Sequence, residues 1–242
     1  MLQNLATSLI TKLAVSNHLD GDDVRAIQAL QVRQRNLGPR ETIVADGERP
    51  DACCLLAEGF AFRSKTTANG ERQVLSVHIP GEIPDLQSLH LKIMDHDLAT
   101  VTPCVLGFID HEQLKKLNRE RPNVAAAFWR ETLIDSSIFR EWIVNVARRP
   151  AVPRMAHLLA EMHTRLRAIG LTRDGQFGLP LTQSDFGDCL GLSTVHVNRV
   201  LQHLRSEELI TVKRSEFHIL DVRRLKELAE FDATYLHLDP DI

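Results

Sequence analysis

Leu181–Arg205, LTQSDFGDCLGLSTVHVNRVLQHLR, is the stretch whose reading decides the fold of the C-terminal part of the chain. Thr182 is a favoured helix N-cap, and Asp185 three positions on completes a capping box. Gly191 supplies a tight bend, and Ser193 caps a second helical run. In that run Val197, Val200, Leu201 and Leu204 share one stripe, while Thr194, Asn198, Arg199 and Gln202 share the other. Two short helices joined at a glycine, the second with a polar outer face over 182–205, predict a helix-turn-helix. Asn and Arg side chains present the paired donors and acceptors that match base edges in the major groove. A hairpin of packing helices with a solvated face needs no such outer set, so double-stranded DNA is the expected partner.

The charge distribution agrees with this reading. The chain of 242 residues carries a formal net charge of −3, but unevenly. Residues 148–214 hold 10 Lys and Arg against 6 Asp and Glu. Residues 1–147 hold 16 against 19, and residues 215–242 hold 3 against 7. The positive segment contains the helix-turn-helix, as contact with phosphates requires.

Composition excludes several classes. A hydrophobic fraction of 43% with 25% charged residues is that of a globular protein. No apolar stretch approaches the ~20 residues that span a bilayer, and the N-terminus MLQNLATSLITKL does not read as a signal peptide. A cytoplasmic protein with no membrane contact is therefore expected. Four cysteines, with Cys53 and Cys54 adjacent, form no spaced disulfide framework and no metal-binding pair. There is no GxSxG, HExxH or P-loop. No catalytic residue, metal site or cofactor is expected, and the chain reads as a non-enzyme.

Upstream, residues 1–35 read as helical pieces with leucines at helical spacing. From Leu37 to Ile109 short alternating runs are separated by turn signals, among them Gly38-Pro39, Glu58-Gly59 and Pro80-Gly81. Asn69-Gly70 between AFRSKTT and RQVLSVHI predicts a hairpin. Antiparallel strands at this spacing predict a β-sandwich or roll. Pro122 suits the first turn of a long helix reaching about Arg148. Within it Trp129, Ser136, Phe139, Ile143 and Val146 belong to a heptad seam, read as a dimer interface; packing inside one subunit is the alternative. Pro150 and Pro153 mark a hinge, followed by a helix over 154–169. LITVKRSEFHIL predicts two strands turning at Arg214-Ser215, and a last helix runs from Val222 to about Phe231. The expected class is α+β, with a sensory β-roll and N-terminal helices over 1–121, a dimerisation helix and hinge over 122–149, and a winged helix-turn-helix over 150–242.

These features, in this order, resemble the CRP/FNR family of bacterial transcription regulators. The sensory stretch DGERPDACCLLAEGFAFRSKTTANGERQVLSVHIPGEI resembles the family's cyclic-nucleotide-binding-like β-roll, and LTQSDFGDCLGLSTVHVNRVLQHLRSEELI resembles its winged helix-turn-helix. The resemblance implies a homodimer on palindromic DNA, with RNA polymerase as a further partner. It places Gln183 and Ser193 at phosphates, where helix N-termini favour anions. It places Thr194, Val195, Asn198 and Arg199 at bases, with His196 beside them. Val195 departs from the glutamate of many members, so a different DNA sequence is expected to be read.

The sensory side departs further. Met94-Asp95-His96 stand where cyclic-AMP-binding members carry an Arg-Ser-Ala run. The resemblance implies a ligand wall at Gly81, Glu82, Asp85 and Asp95. Without the arginine, and with Asp85, Asp95 and Asp97 expected near the phosphate position, cyclic AMP is not the expected effector. The iron–sulfur type needs an N-terminal cysteine cluster, and the first cysteine here is Cys53. A haem sensor stays open on His78, His90 and His96. The effector is unknown or absent; the alternative is a regulator responsive to a cyclic nucleotide or other small ligand. A signalling module whose helix-turn-helix only supports a partner contact is the competing class.

Overall fold

The computed structural model describes residues 2–238, with side chains from Leu5 onward. Helices α1 (Leu2–Ala14) and α2 (Gly21–Gln28) precede strands β1 (Arg33–Leu37), β2 (Thr42–Val44), β3 (Ala52–Glu58), β4 (Ala61–Thr66) and β5 (Arg72–His78). A 3₁₀ turn at Leu86–Leu89, then β6 (Asp97–Thr100) and β7 (Cys104–Asp110), complete the roll. Helices α3 (His111–Glu120), α4 (Pro122–Arg148) and α5 (Ala151–Ala168) lead to β8 (Gln176–Gly178). The C-terminal unit then runs α6 (Gln183–Leu190), α7 (Thr194–Ser206), β9 (Ile210–Lys213), β10 (Glu216–Ile219) and α8 (Val222–Leu228), ending in a 3₁₀ turn at Ala233–Leu236. This is the expected α+β arrangement.

Two antiparallel sheets, ordered β1-β7-β3 and β2-β6-β4-β5, face each other. Side-chain alternation sorts their residues. Ala61 joins Leu56, Met94, Leu98 and Leu106 between the sheets, whereas Phe62 joins the core that runs on into the C-terminal unit. β3 reads ACCLLAE and is buried through its first six residues, because α1, α3 and the start of α4 cover its outer side. The loop after β5 completes the other edge of β3. The Gly81 N–H donates to Leu56 O at 2.7 Å, the Leu56 N–H to Glu82 O at 2.9 Å, and the Cys54 N–H to Asp85 Oδ1 at 2.7 Å. The hairpin at Asn69-Gly70 forms as expected, with Gly70 at φ +86°.

α4 begins with Pro122 at its first turn, where a missing N–H costs no intrahelical bond. The break before α5 is narrower than the sequence suggests. Arg149 is extended and Pro150 caps the next helix, but Pro153 lies inside the first turn of α5, where proline is tolerated. The residues of α5 from Met155 to Leu166 are all buried, so this helix is packed on every side. Its core includes Phe62, Val74, Val77 and Ile79 of the roll, Ile134, Ile138 and Trp142 of α4, and Phe186, Val197 and Phe217 of the winged unit. One apolar cluster thus crosses the expected domain boundary. The wing gains a third strand, β8, from the stretch expected to be a loop, in the order β8-β10-β9. The last helix stops at Leu228 rather than Phe231. No helix among the described residues is long and apolar enough to cross a membrane.

Asp85 has a stability consequence. It is fully buried, and burial pushes its carboxyl up to about 7. A raised folded-state value means that the stability it confers is complete below the unfolded value near 3.9 and is lost as pH rises through about 7. Asp85→Asn keeps an oxygen for Cys54 N–H and cannot ionise. The stability difference between variant and wild type, from urea unfolding, is expected to shift in the variant's favour from pH 4 to 7 and then level off. A difference independent of pH contradicts this account.

Candidate nucleic-acid interface

The helix-turn-helix is built by its caps. Thr182 Oγ1 accepts the Asp185 N–H at 3.2 Å, and Asp185 Oδ2 accepts the Thr182 N–H at 2.8 Å. Ser193 Oγ accepts the His196 N–H at 3.3 Å. Gly191 turns the chain at φ +62°, the left-handed region. Gly187 lets the turn close: a Cβ there would lie 2.5 Å from the Leu192 carbonyl oxygen. Val197, Val200, Leu201 and Leu204 are buried against α6 and the wing.

The opposite face of α7 is open. Ser193, Thr194, Val195, His196 and Arg199 are exposed, with Val195 at 61%, and Asn198 is half-buried. Gln183 is exposed in the first turn of α6. The Arg199 side chain joins no ion pair or hydrogen bond among the described residues, so its guanidinium is available to a ligand. Exposed His203 extends this face toward the end of α7. The wing tip adds exposed Lys213 and Arg214, the latter at φ +59°. The sequence reading placed the tip but assigned it no contact. The signal was there: two adjacent cations at the turn of a wing.

The expected ligand wall is not assembled. Glu82 accepts from Arg165 Nη2 at 2.9 and 3.2 Å and pairs with His78 Nδ1 at 2.8 Å. Burial opposes its charge, yet Arg165 holds the carboxyl well below the usual carboxylate range. Gly81 lies under α1, with space for a Cβ taken by Ser8 and Lys12. Asp85 faces Cys54 in the interior rather than a ligand. Asp95 points to solvent, its side chain 81% exposed, and pairs with His96. Met94 fills the core between the sheets. Asp85 and Asp95 therefore do not converge, which corrects the expectation that they line one anion-repelling wall. Arg63, a second buried guanidinium in this region, donates to Pro84 O and pairs with Asp135 of α4. His78 has both ring nitrogens engaged, His96 pairs with Asp95, and His90 is exposed. No group of three or more His, Cys, Asp or Glu among the described residues is placed to hold a metal. A cavity of about 70 Å³ does lie between α1, the loop after β5, α4 and α5, lined by the ion pairs Lys12–Glu131, Arg63–Asp135 and Arg165–Glu82.

The exposed stripe of α4 keeps Trp129, Ser136 and Ile143 of the expected seam, and differs from it at the alternate positions. Ala126, Trp129, Leu133, Ser136, Arg140, Ile143 and Ala147 face solvent, with Trp129 at 66% and Ile143 at 67%. Phe139 and Val146, assigned to the seam from sequence, are half-buried within the chain; Phe139 carries the Arg63 guanidinium on its ring.

Comparison with known proteins matches this architecture. Residues 34–121 match the cyclic nucleotide-binding domain, and residues 153–228 match the Crp-like helix-turn-helix domain. The chain is 25% identical over 223 residues to the transcriptional activator protein Anr of Pseudomonas protegens, covering 91% of this chain and 90% of that one. It is 24% identical over 227 residues to the transcriptional activator protein FnrL of Cereibacter sphaeroides, covering 91% and 89%. The solved structure of FixK2 from Bradyrhizobium japonicum superposes with a TM-score of 0.75 at 22% identity, covering 82% of this chain and 98% of that one. The c-di-GMP responsive regulator CLP of Xanthomonas campestris superposes at 0.66 and 16% identity, covering 84% and 100%. With both domains matched in this order, and relatives of both kinds spanning most of its length, the chain belongs to the CRP/FNR family of transcription regulators.

Proposed function

We propose that this regulator works as a cytoplasmic homodimer that reads an inverted repeat in double-stranded DNA and acts through RNA polymerase. The observation that carries the reading is the open face of α7, with Thr194, Val195 and an unpaired Arg199 side by side. Arg199 suits the O6 and N7 of guanine, and Val195 suits a thymine methyl. Two copies of α7 would meet half-sites about 34 Å apart, one helical turn. Selection from random duplexes is expected to return a palindrome. Arg199→Ala is expected to lose about 1–3 kcal/mol on it and to relax one position. A selection that returns no two-fold motif contradicts the reading.

The homodimer rests on the exposed apolar stripe of α4. Trp129, Leu133 and Ile143 lie on one line of a helix whose other side is packed. Burying such a patch is favourable by about 25 cal/mol per Å². Ile143→Asp would bury a charge unpaired or separate the helices. Light scattering is expected to give a dimer for the wild type and a monomer for the variant; a wild-type monomer at micromolar concentration contradicts the interface.

Cyclic AMP is not the proposed effector. The reason differs from the one the sequence suggested: Arg63 and Glu82, the charged groups suited to holding a nucleotide, are already paired within the chain. Calorimetric titration with cyclic AMP is expected to show no binding up to millimolar concentration. Micromolar binding that also tightens the DNA complex contradicts this.

A further inference from the structure

Strand β5 grips the winged unit at two points. At its start, Arg72 donates from Nε to Asp188 Oδ2 at 2.8 Å and from Nη2 to Asp188 Oδ2 at 2.6 Å and Asp185 Oδ1 at 3.0 Å. Gln73 Nε2 donates to Asp188 O at 2.7 Å, a carbonyl in the last turn of α6, where carbonyls lack intrahelical partners. At its end, Val77 O accepts from Arg165 Nη2 of α5 at 2.9 Å. Arg40, in the turn between β1 and β2, adds a two-point bond to Asp185, with Nη1 to Oδ1 at 2.6 Å and Nη2 to Oδ2 at 2.5 Å. The Arg40 and Arg72 guanidinium groups both lie over the Phe62 ring, at 5.8 and 4.7 Å.

Asp185 is also the residue that closes the α6 capping box, so one carboxylate serves the helix and the joint together. Its side chain is 2% exposed. Among the described residues, the Asp188 carboxylate pairs with Arg72 of the roll. Two acids on α6, the helix whose first turn carries Gln183, add negative charge on the side of the chain expected to meet DNA unless they are neutralised. Two-point guanidinium–carboxylate bonds fix direction as well as charge.

We infer that Arg40 and Arg72 are positioning residues for DNA binding: from the roll they hold α6 at a set angle, present α7 outward and cancel the charge of Asp185 and Asp188 beside the DNA. This rests on the DNA-binding reading above. A shift of β5 is then a shift of α6.

The test uses the full chain and a duplex recovered by selection with the wild type. Arg72→Glu sets a third carboxylate against Asp185 and Asp188. It is expected to weaken binding at least tenfold, and Arg72→Glu with Asp188→Arg to recover to within threefold of wild type. Rescue by reversed charge assigns the loss to the Arg72–Asp188 pair rather than to an unfolded chain. Arg72→Lys, which keeps charge but loses the two-point geometry, is expected to fall between them and guards against a misfolded first variant. Hydrogen exchange of the DNA-free protein reads the grip independently: amides of residues 183–190 are expected to exchange faster in Arg72→Glu and to regain protection in the double variant. Wild-type affinity in Arg72→Glu overturns the inference, as does a loss the double variant fails to restore. If the wild type selects no duplex, the DNA-binding reading fails, and unchanged exchange in Arg72→Glu would then overturn the grip separately.

Discussion

Arg165 is the residue on which the two halves of the molecule close. Its guanidinium is buried between two carboxylates, Glu161 one turn earlier on α5 and Glu82 of the roll. Burying these three charges is unfavourable on its own, and only a full set of partners offsets it. The set is present. Glu161 also accepts from Trp142 Nε1 of α4 at 3.0 Å and from Tyr235 Oη of the C-terminal turn at 2.8 Å. Burial and Glu161 together hold the Tyr235 phenol well above its ordinary range, so it stays a donor. One ion cluster thus ties the roll, α4, α5 and the C-terminal turn. Removing one member would leave a buried charge uncompensated, at about 3–5 kcal/mol.

The outward reading face follows from that joint. α5 is buried along twelve consecutive residues because the roll and α4 lie on one side and α7, the wing and α8 on the other. Arg154 pins the bend between α4 and α5, donating to Arg149 O and to Leu190 O at the end of α6. With α5 fixed to the roll and α6 fixed to α5 and β5, α7 has one face left for solvent. That face carries Val195 and Arg199. The face proposed to read DNA is therefore positioned by residues far from it, through packing and ion pairs rather than through contact with a ligand.

Features fixed by local chemistry were legible in the sequence. The caps at Thr182 and Ser193, the left-handed Gly191, the hairpin at Asn69-Gly70 and the start of α4 at Pro122 all depend on neighbours a few residues away. Pro153 misled because proline breaks a helix in its interior but fits its first turn. Phe139 and Val146 of the α4 stripe were misplaced because apolar spacing alone does not say which edge of a helix its neighbours will cover. The joint was not legible at all. Arg165 and Glu82 are 83 positions apart, Arg72 and Asp188 are 116, and Arg40 and Asp185 are 145. One local signal pointed toward it: Glu161 and Arg165 stand four apart in a stretch of α5 flanked by Leu158, Leu159, Met162 and Leu166, and charged residues are seldom buried among such neighbours unless paired. The ligand wall failed for a related reason. Glu82 could be placed on its loop from sequence, but not its partner from another domain.

Calorimetric unfolding of the full chain at low ionic strength tests the single core most directly. If the roll and the winged unit share one apolar cluster and one ion cluster, they unfold together in a single transition. Two resolved transitions, with the winged unit melting apart from the roll, would contradict a joint that sets the direction of α7.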